Sequence, residues 1–421
     1  MKGDFSRITF DPKKHYSRVL MQQGRVQLDA DWNEQAAIIL HRLETMARDL
    51  IGPFGGPAAE CGFEITVDVG GSLAFGIGRG RYYVDGILCD ADDNATKFDI
   101  KELGNQDRVF FDVSFEYLVY VDVWEQYINA VEDPNILEPA LGGAETSGRS
   151  KVVWSFHIMA LQKPAGDSII TGALQRLQSN QGRNGRLKVE TKTDDHNDGP
   201  CILPPNAGFR GLENQLYRVE VHIGGKASEA TFKWSRENGS IIFPIAHADG
   251  QVIVLDPLCS TMGLKSGDWV ELVQDDLTAQ VLPKDLLKIK FVDSLKREVT
   301  MMDKVQANAQ KHPYLRRWEG AAITIVEDHL FTLEDGIQIT FVKSQDGQHG
   351  QHTYRAGDFW CIPARTAGEG RVTWPAAVPP DGVIHHYAPL AVLTLDGNNK
   401  FTKRLDCRMK FAGIGIPITV V

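Results

Sequence analysis

The chain has 421 residues, of which 43% are hydrophobic and 24% are charged, and its formal net charge is −10. This length predicts two to four domains with enough apolar surface for real cores. A net negative charge without any basic run argues against nucleic acid or an anionic membrane as the main partner.

The first residues, MKGDFSR, lack the apolar segment of a secretory signal, and no apolar run approaches the roughly 18 residues of a membrane span. The cysteines are scattered without a CxxC pair, at Cys61, Cys89, Cys201, Cys259, Cys361 and Cys407. We therefore expect reduced thiols in a protein that is made in the cytoplasm without a signal peptide and is not inserted into a membrane.

Residues 1–20 are polar and mixed, with only isolated apolar side chains. Such an arm cannot form a core alone, so we expect it to lie along a neighbouring surface or to stay mobile. Phe5 and Phe10 are candidate anchors, either on another subunit or on the body of the same chain.

The stretch Met21–Pro53 predicts a turn or short strand followed by one long amphipathic helix. Asp31 stands at the expected N-cap and Glu34 follows three residues later, which is the spacing of a capping box. Gly52 and Pro53 are expected to end the helix.

Apolar residues recur in this helix at alternating steps of four and three, at Ala36, Leu40, Leu43, Ala47 and Leu50. Ile39 and Met46 widen this heptad stripe. The stripe needs a partner surface, which is either the chain's own β domain or a bundle with copies of itself or another protein. We take as candidate partner-binding residues Phe5, Phe10, Trp32, Ala36, Leu40, Leu43, Ala47 and Leu50.

After the helix, apolar residues recur at every second position between turn residues, which indicates strands. The predicted fold class is mainly β, with an N-terminal arm and one long amphipathic helix followed by two or more sandwich-like or barrel-like domains. The predicted units are the arm and helix (1–56), a first β domain (57–165), a linker with a possible short helix (166–200), and a second β domain (201–421) with a small barrel inserted at about 250–310.

The chain lacks the common catalytic, nucleotide-binding and zinc motifs, so no catalytic, cofactor or metal residues are proposed from the sequence. His385 and His386 are adjacent, and on a strand they would point to opposite faces and could not share one metal. Cations stand beside indoles around Trp234 and Trp318, which indicates either a stacking platform for a sugar or cation–π packing between strands.

Several stretches together resemble a family of uncharacterised bacterial proteins. They are MKGDFSRITFDPKKHYSRVLMQQGRVQLDADWNEQ, NQLYRVEVH, FKWSRENGS, LRRWE, LEDGIQITF, GDFWCIPART and IHHYAPLAV. Members of that family often occur in gene clusters for phage-tail-like contractile injection systems. The opening also resembles the arms of phage tail and fibre-attachment proteins, through Gly24, Asp31, Asn33 and Glu34.

The resemblance implies a non-enzymatic structural or accessory component of such a particle, associated with its baseplate. The expected partners are copies of the chain and other particle proteins, with release from the cell on lysis. A glycan-binding or adhesive module is the alternative, and a hydrolase of cell-wall glycans is a weaker one.

Overall fold

The computed structural model describes residues 1–67, 74–92, 97–99, 111–179, 184–191, 209, 211–257, 261–274, 285–343, 352–366, 372, 374, 377–398 and 400–413. The sequence predictions at Cys201 and Cys259 lie outside these residues. Cys61, Cys89, Cys361 and Cys407 are free thiols.

The described part of the chain contains the α-helices α1 (Asp29–Ile51) and α2 (Asp167–Ser179). The strands before α2 are β1 (Phe54–Pro57), β2 (Ile65–Val67), β3 (Ala74–Ile77), β4 (Gly80–Val84), β5 (Ile87–Ala91), β6 (Lys97–Asp99), β7 (Phe115–Ile128), β8 (Leu137–Glu138), β9 (Ala144–Glu145) and β10 (Arg149–Gln162). The strands after α2 are β11 (Leu187–Thr191), β12 (Gln215–Ile223), β13 (Gly225–Lys226), β14 (Thr231–Ser235), β15 (Ile242–Asp249), β16 (Val252–Leu255), β17 (Trp269–Val273), β18 (Leu286–Asp293), β19 (Glu298–Met301), β20 (Tyr314–Trp318), β21 (Gly320–Thr324), β22 (Leu330–Thr332), β23 (Ile337–Phe341), β24 (Thr353–Tyr354), β25 (Phe359–Ala364), β26 (His386–Leu395), β27 (Phe401–Asp406) and β28 (Lys410–Phe411). The fold is thus mainly β with an N-terminal helix, as the sequence predicts, and no described helix has both the length and the apolar character to cross a membrane.

The first body is built around β7, which lies in the antiparallel sheet β10–β7–β26–β27. Its side chains alternate between two apolar clusters. Tyr117, Val119 and Val121 point into a core shared with strands β2 to β5, whereas Leu118 and Tyr120 pack with α2. Because both faces of β7 are covered, the strand is apolar almost without interruption.

The last strands return to this first body. The sequence prediction assigns residues 201–421 to the second β domain, but β26 hydrogen-bonds to β7 and β28 pairs in parallel with β1. Leu390 and Leu393 of β26 lie in the same core as Val119 of β7. The residue pattern within a strand does not specify which strand it pairs with. The pairing of β26 with β7 could therefore not be predicted from the spacing of apolar residues.

The second body contains the sheets β21–β14–β12–β25 and β11–β23–β22, which share one core. Between β14 and β21 the chain forms a closed barrel of six strands in the order β15–β16–β19–β18–β17–β20. The barrel has a separate core, which includes Ile253, Val270 and Ile289. It lies where the sequence predicts a small barrel over about 250–310.

Helix α1 begins three residues earlier than predicted. Leu28 is its N-cap residue, and Asp31 is the third residue of the helix rather than the cap. The Asp31 carboxylate accepts a hydrogen bond from the Leu28 N–H at 3.3 Å, so it serves the same end of the helix from inside. Gly52, with φ of 98°, ends the helix as predicted and donates its N–H to the Arg48 carbonyl at 2.8 Å.

Candidate functional site

The first three residues of the chain are bound by the second body through their main chain. The Asn238 side-chain amide donates to the carbonyls of Met1, at 3.2 Å, and Gly3, at 2.9 Å. Arg218 donates to the same Met1 carbonyl at 3.3 Å. Gly3 is buried, and a Cβ there would lie 2.9 Å from the Phe5 ring, so a larger residue would have to displace the Phe5 and Tyr127 rings.

Lys2 enters a buried ion-pair cluster, which we define as Lys2, Arg218, Glu220, Lys233 and Glu271. The Glu220 carboxylate forms ion pairs with Lys2 at 2.9 Å, Arg218 at 2.6 Å and Lys233 at 3.3 Å. Lys233 also lies 2.6 Å from Glu271. Since Glu220 and Lys233 are on the sheet of the second body and Glu271 is on the barrel, the cluster joins these two units to the arm.

The charges in the ion-pair cluster stabilise one another. Burial opposes ionisation of Glu220, but Lys2, Arg218 and Lys233 outweigh it and hold the pKa of this carboxyl well below its ordinary value. The pKa of Glu271 is lowered in the same way, against burial, by Lys233 and Lys2. Burial lowers the pKa of Lys2 to about 8, although Glu220 favours its charged form. Each of these charges is thus paired inside the molecule.

The cations predicted beside indoles pack inside the molecule. The Lys233 ammonium lies 4.3 Å from the centroid of the Trp318 ring, and the Trp318 indole N–H donates to Glu271 at 3.1 Å. Trp234 stacks on Tyr217 with ring centroids 6.2 Å apart. Both indoles are buried, which supports the cation–π packing interpretation rather than an exposed platform for a sugar.

Beyond the first residues, the arm runs along helix α1. Three hydrogen bonds connect them, from Ser6 N–H to Asp29 at 2.9 Å, from the Thr9 hydroxyl to Glu34 at 2.6 Å, and from Val19 N–H to Gln35 at 2.8 Å. The predicted anchors are half-buried against the same chain, Phe5 edge-on to Tyr127 and Phe10 beside His41. The polar side chains of Asp29, Glu34 and Gln35, near the start of α1, therefore hold the arm against the helix.

The inner side of α1 rests on the turn between β4 and β5. Asp85 and Gly86 both have positive φ, as a two-residue hairpin turn requires. A Cβ on Gly86 would lie 2.1 Å from the Glu44 carbonyl oxygen, so only glycine allows the turn to touch the helix backbone. Asp85 also lies 3.5 Å from the Arg48 guanidinium. This contact, together with the arm, fixes the rotation of the helix about its axis.

The opposite side of α1 is exposed, and we call it the outer face. It consists of Trp32, Ala36, Ile39, Leu43, Met46 and Leu50, of which the five large side chains are between 50% and 68% exposed. Within α1 only Ala30 and Ile38 are buried. Leu40 is exposed beside this face and Ala47 is half-buried. The structure thus brings four predicted partner-binding residues onto the outer face, namely Trp32, Ala36, Leu43 and Leu50.

Other pairs of titratable side chains lie on the first body. His385 contacts Asp122 at 2.9 Å and His386 contacts Asp85 at 2.9 Å, so the adjacent histidines have separate partners, as their alternation predicts. The Ser155 hydroxyl lies 2.8 Å from the His157 ring, two residues along β10. Across the described residues, no group of three or more His, Cys, Asp or Glu side chains is arranged to hold a metal ion.

The chain matches a known protein family twice along its length. A family model described as a family of unknown function, DUF6519, matches residues 1–188 and 182–414. The chain belongs to this family. The first match covers the arm, helix α1 and strands β1 to β10. The second match covers the second body, the barrel and strands β26 to β28. No curated protein and no solved structure matches the chain.

Sequence reasoning on this DUF6519 chain missed the ion-pair cluster and its neighbour Asn238. A signal was nevertheless present, because Glu220, Lys233 and Glu271 each stand in the middle of an apolar strand. A charged residue in such a place is almost always paired when the strand is buried. What the sequence could not supply is which charge meets which, since the partners lie far apart along the chain, as do Lys2 and Glu220, whose numbers differ by 218.

Proposed function

We propose that this protein is a non-enzymatic structural component of a phage-tail-like contractile injection system, associated with the baseplate and held in the particle through its arm and helix α1. The observation that carries the proposal is the outer face of α1, an apolar surface that the described chain leaves uncovered. Large apolar patches on soluble proteins usually mark interaction sites.

The arm adds to this surface. Exposed large apolar side chains between the docked end and the helix include Tyr16, Leu20, Met21 and Val26, of which Val26 is 83% exposed. Burying them against another subunit would remove apolar area from water at about 25 cal/mol per Å². A helix with one side fixed to its body and an apolar side turned outward suits a protein that is built into a larger assembly.

The particle is proposed from the resemblance of the opening stretch and the later motifs to proteins encoded beside contractile injection systems. A glycan-binding function has less support, because Trp234, Trp318 and Trp360 are buried and the half-buried Trp374 donates its indole N–H to the Leu187 carbonyl. Sugar-binding platforms need an exposed ring face.

The test compares two triple variants in a bacterium that makes the particles. Trp32→Gln/Leu43→Gln/Leu50→Gln removes the apolar character of the outer face. The control, Phe291→Gln/Leu295→Gln/Met302→Gln, changes three apolar residues on and beside the barrel that are also at least 50% exposed. Particles are purified by density gradient and the bound protein is quantified by mass spectrometry.

We expect the α1 variant to fall at least tenfold in the particle fraction, while the control stays near the wild-type level. Both variants should unfold within a few degrees of the wild type, because all six side chains are exposed. Wild-type protein absent from purified particles would refute the proposed function, and equal incorporation of both variants would refute the role of α1.

A further inference from the structure

The outer face of α1 has the spacing of a coiled-coil seam. Its positions advance by four, three, four, three and four residues from Trp32 to Leu50. This places Ala36, Leu43 and Leu50 at one core position of the heptad and Trp32, Ile39 and Met46 at the other. The seam covers 18 steps, or roughly 27 Å at 1.5 Å per residue, and every position is exposed.

The body of the chain holds this seam outward. The turn at Gly86 touches the helix backbone at Glu44, Asp85 lies beside Arg48, and the arm is hydrogen-bonded to Asp29 and Glu34. A helix held on one side cannot rotate its apolar seam onto its own body. The seam is therefore available to another molecule without any rearrangement of the chain.

We propose that α1 packs against α1 of other copies of this chain, in a parallel, in-register bundle of three or more helices. This deepens the proposed function, on which it rests, by naming the partner of the outer face. In such a bundle each seam residue packs against the same residue of the other copies. All six layers are then apolar, and no charge is buried. A seam built to meet an unrelated partner would not need to be self-complementary.

The residues at the seam favour more than two helices. Leucine at the first core position with isoleucine at the second, as at Leu43 and Ile39, favours trimers and tetramers over dimers. Leu40 and Ala47 extend the apolar surface on one side of the seam, which suits a helix with two neighbours. The five large apolar side chains of the outer face are each 50–68% exposed and are available for burial, and a standard interface buries roughly 800 Å² on each partner.

The first experiment measures the mass of the purified full-length chain by light scattering and native mass spectrometry between 1 and 100 µM. We expect a trimer or larger oligomer for the wild type. Leu43→Asp places like charges in one layer and should raise the concentration needed for assembly at least tenfold. Leu295→Asp, at a 97% exposed position on the barrel, is the matched control and should assemble as the wild type.

The second experiment tests orientation by disulfide cross-linking under mild oxidation. Ala36→Cys lies in the seam, and its copies fall within disulfide reach of one another only in a parallel bundle. Thr45→Cys, exposed on another side of α1, controls for random collisions and for the native cysteines. We expect cross-linked chains for Ala36→Cys and none above background for Thr45→Cys.

A monomer or dimer at 100 µM, or equal cross-linking of the two cysteine variants, would overturn this inference. The proposed function would survive such a result if the protein were still recovered in purified particles, because another particle protein would then cover the outer face. Conversely, a cross-linked trimer absent from particles would support the bundle and refute the proposed function.

Discussion

Lys233 is a lysine in a core, with its ammonium shared between Glu220 at 3.3 Å and Glu271 at 2.6 Å. Moving charges out of water costs several kcal/mol per ion unless good geometry and further hydrogen bonds compensate. Here the Trp318 ring covers the ammonium and its indole N–H binds Glu271. The contacts explain why a buried strand, TFKWS, tolerates a lysine.

Removing this lysine should therefore be costly. Lys233→Met leaves Glu271 buried without its cation, and we expect the free energy of unfolding to fall by about 3–5 kcal/mol, measured by urea denaturation. Lys188→Met is the matched control, because Lys188 pairs with Glu190 at the surface, where both side chains are 46% exposed. Its effect should stay within about 0.5 kcal/mol. Equal losses in the two variants would contradict the role of burial.

A second residue of this region predicts a dependence on pH. Burial, aided by Lys233, lowers the pKa of His222 to about 4 from an ordinary value of 6.5. Its Nδ1 is buried with no hydrogen-bond partner among the described residues. The unfolded chain therefore takes up a proton as the pH falls below 6.5, whereas the folded chain does so only near 4. The stability contributed by neutral His222 is present above pH 6.5 and is lost between 6.5 and 4.

His222→Asn removes this titration. We expect the urea midpoint to fall less between pH 7 and pH 5 for the variant than for the wild type, with the two compared relative to their own values at pH 7. Buried carboxylates such as Glu271 lose their contribution only at lower pH, because their pKa is lowered. If the urea midpoint fell equally in both proteins, titration of His222 would not account for the loss of stability between pH 7 and pH 5.

At the scale of elements, the arm and helix α1 form one unit that connects both bodies. The arm contributes Lys2 to the ion-pair cluster of the second body, while Phe5 packs on Tyr127 of the first. The helix rests on the Asp85–Gly86 turn of the first body. A deletion of the whole N-terminal segment would thus disturb buried charges as well as the outer face, which is why point variants test assembly more cleanly.

Asn238 offers a way to loosen the arm by a single substitution. It has φ of 52°, so Asn238→Gly keeps the backbone conformation and removes the side chain that binds Met1 and Gly3. The same change removes the contacts that the Asn238 oxygen accepts from Arg218 and Cys361. We expect tryptic cleavage after Arg7 to become several-fold faster, as followed by mass spectrometry. Ser228→Gly, at an exposed position with φ of 75°, is the matched control and should leave the cleavage rate unchanged. Unaltered cleavage in Asn238→Gly would mean that other contacts hold the arm.

At the scale of the whole molecule, early and late strands of the chain belong to the same body. The first body is started by β1 to β10 and completed by β26 to β28, so the second body and its barrel form one long insertion between two parts of the first. Leu390 and Leu393 come from beyond the insertion and pack with Val119 and Val121. The first core is therefore incomplete until nearly the whole chain has been made, which places much of its stabilisation in contacts of high sequence separation.

The sequence by itself determined the features that depend on neighbours along the chain. The helix end at Gly52, the short helix α2 and the position of the barrel all follow from local patterns and turn residues. The family motifs, which run through most of the chain, are likewise features of the sequence alone. These features are local because hydrogen bonding and side-chain direction repeat with fixed periods in helices and strands.

Only the tertiary structure decided which surfaces meet. The heptad pattern of α1 identifies an apolar stripe, but its outward rotation depends on the Gly86 turn and on the arm, which lie elsewhere in the sequence. Likewise the pairing of Lys233 with Glu271 and of β26 with β7 joins residues that are far apart along the chain. Such pairings are selected by the packing of the entire fold, because local periodicity specifies a buried face without specifying what covers it.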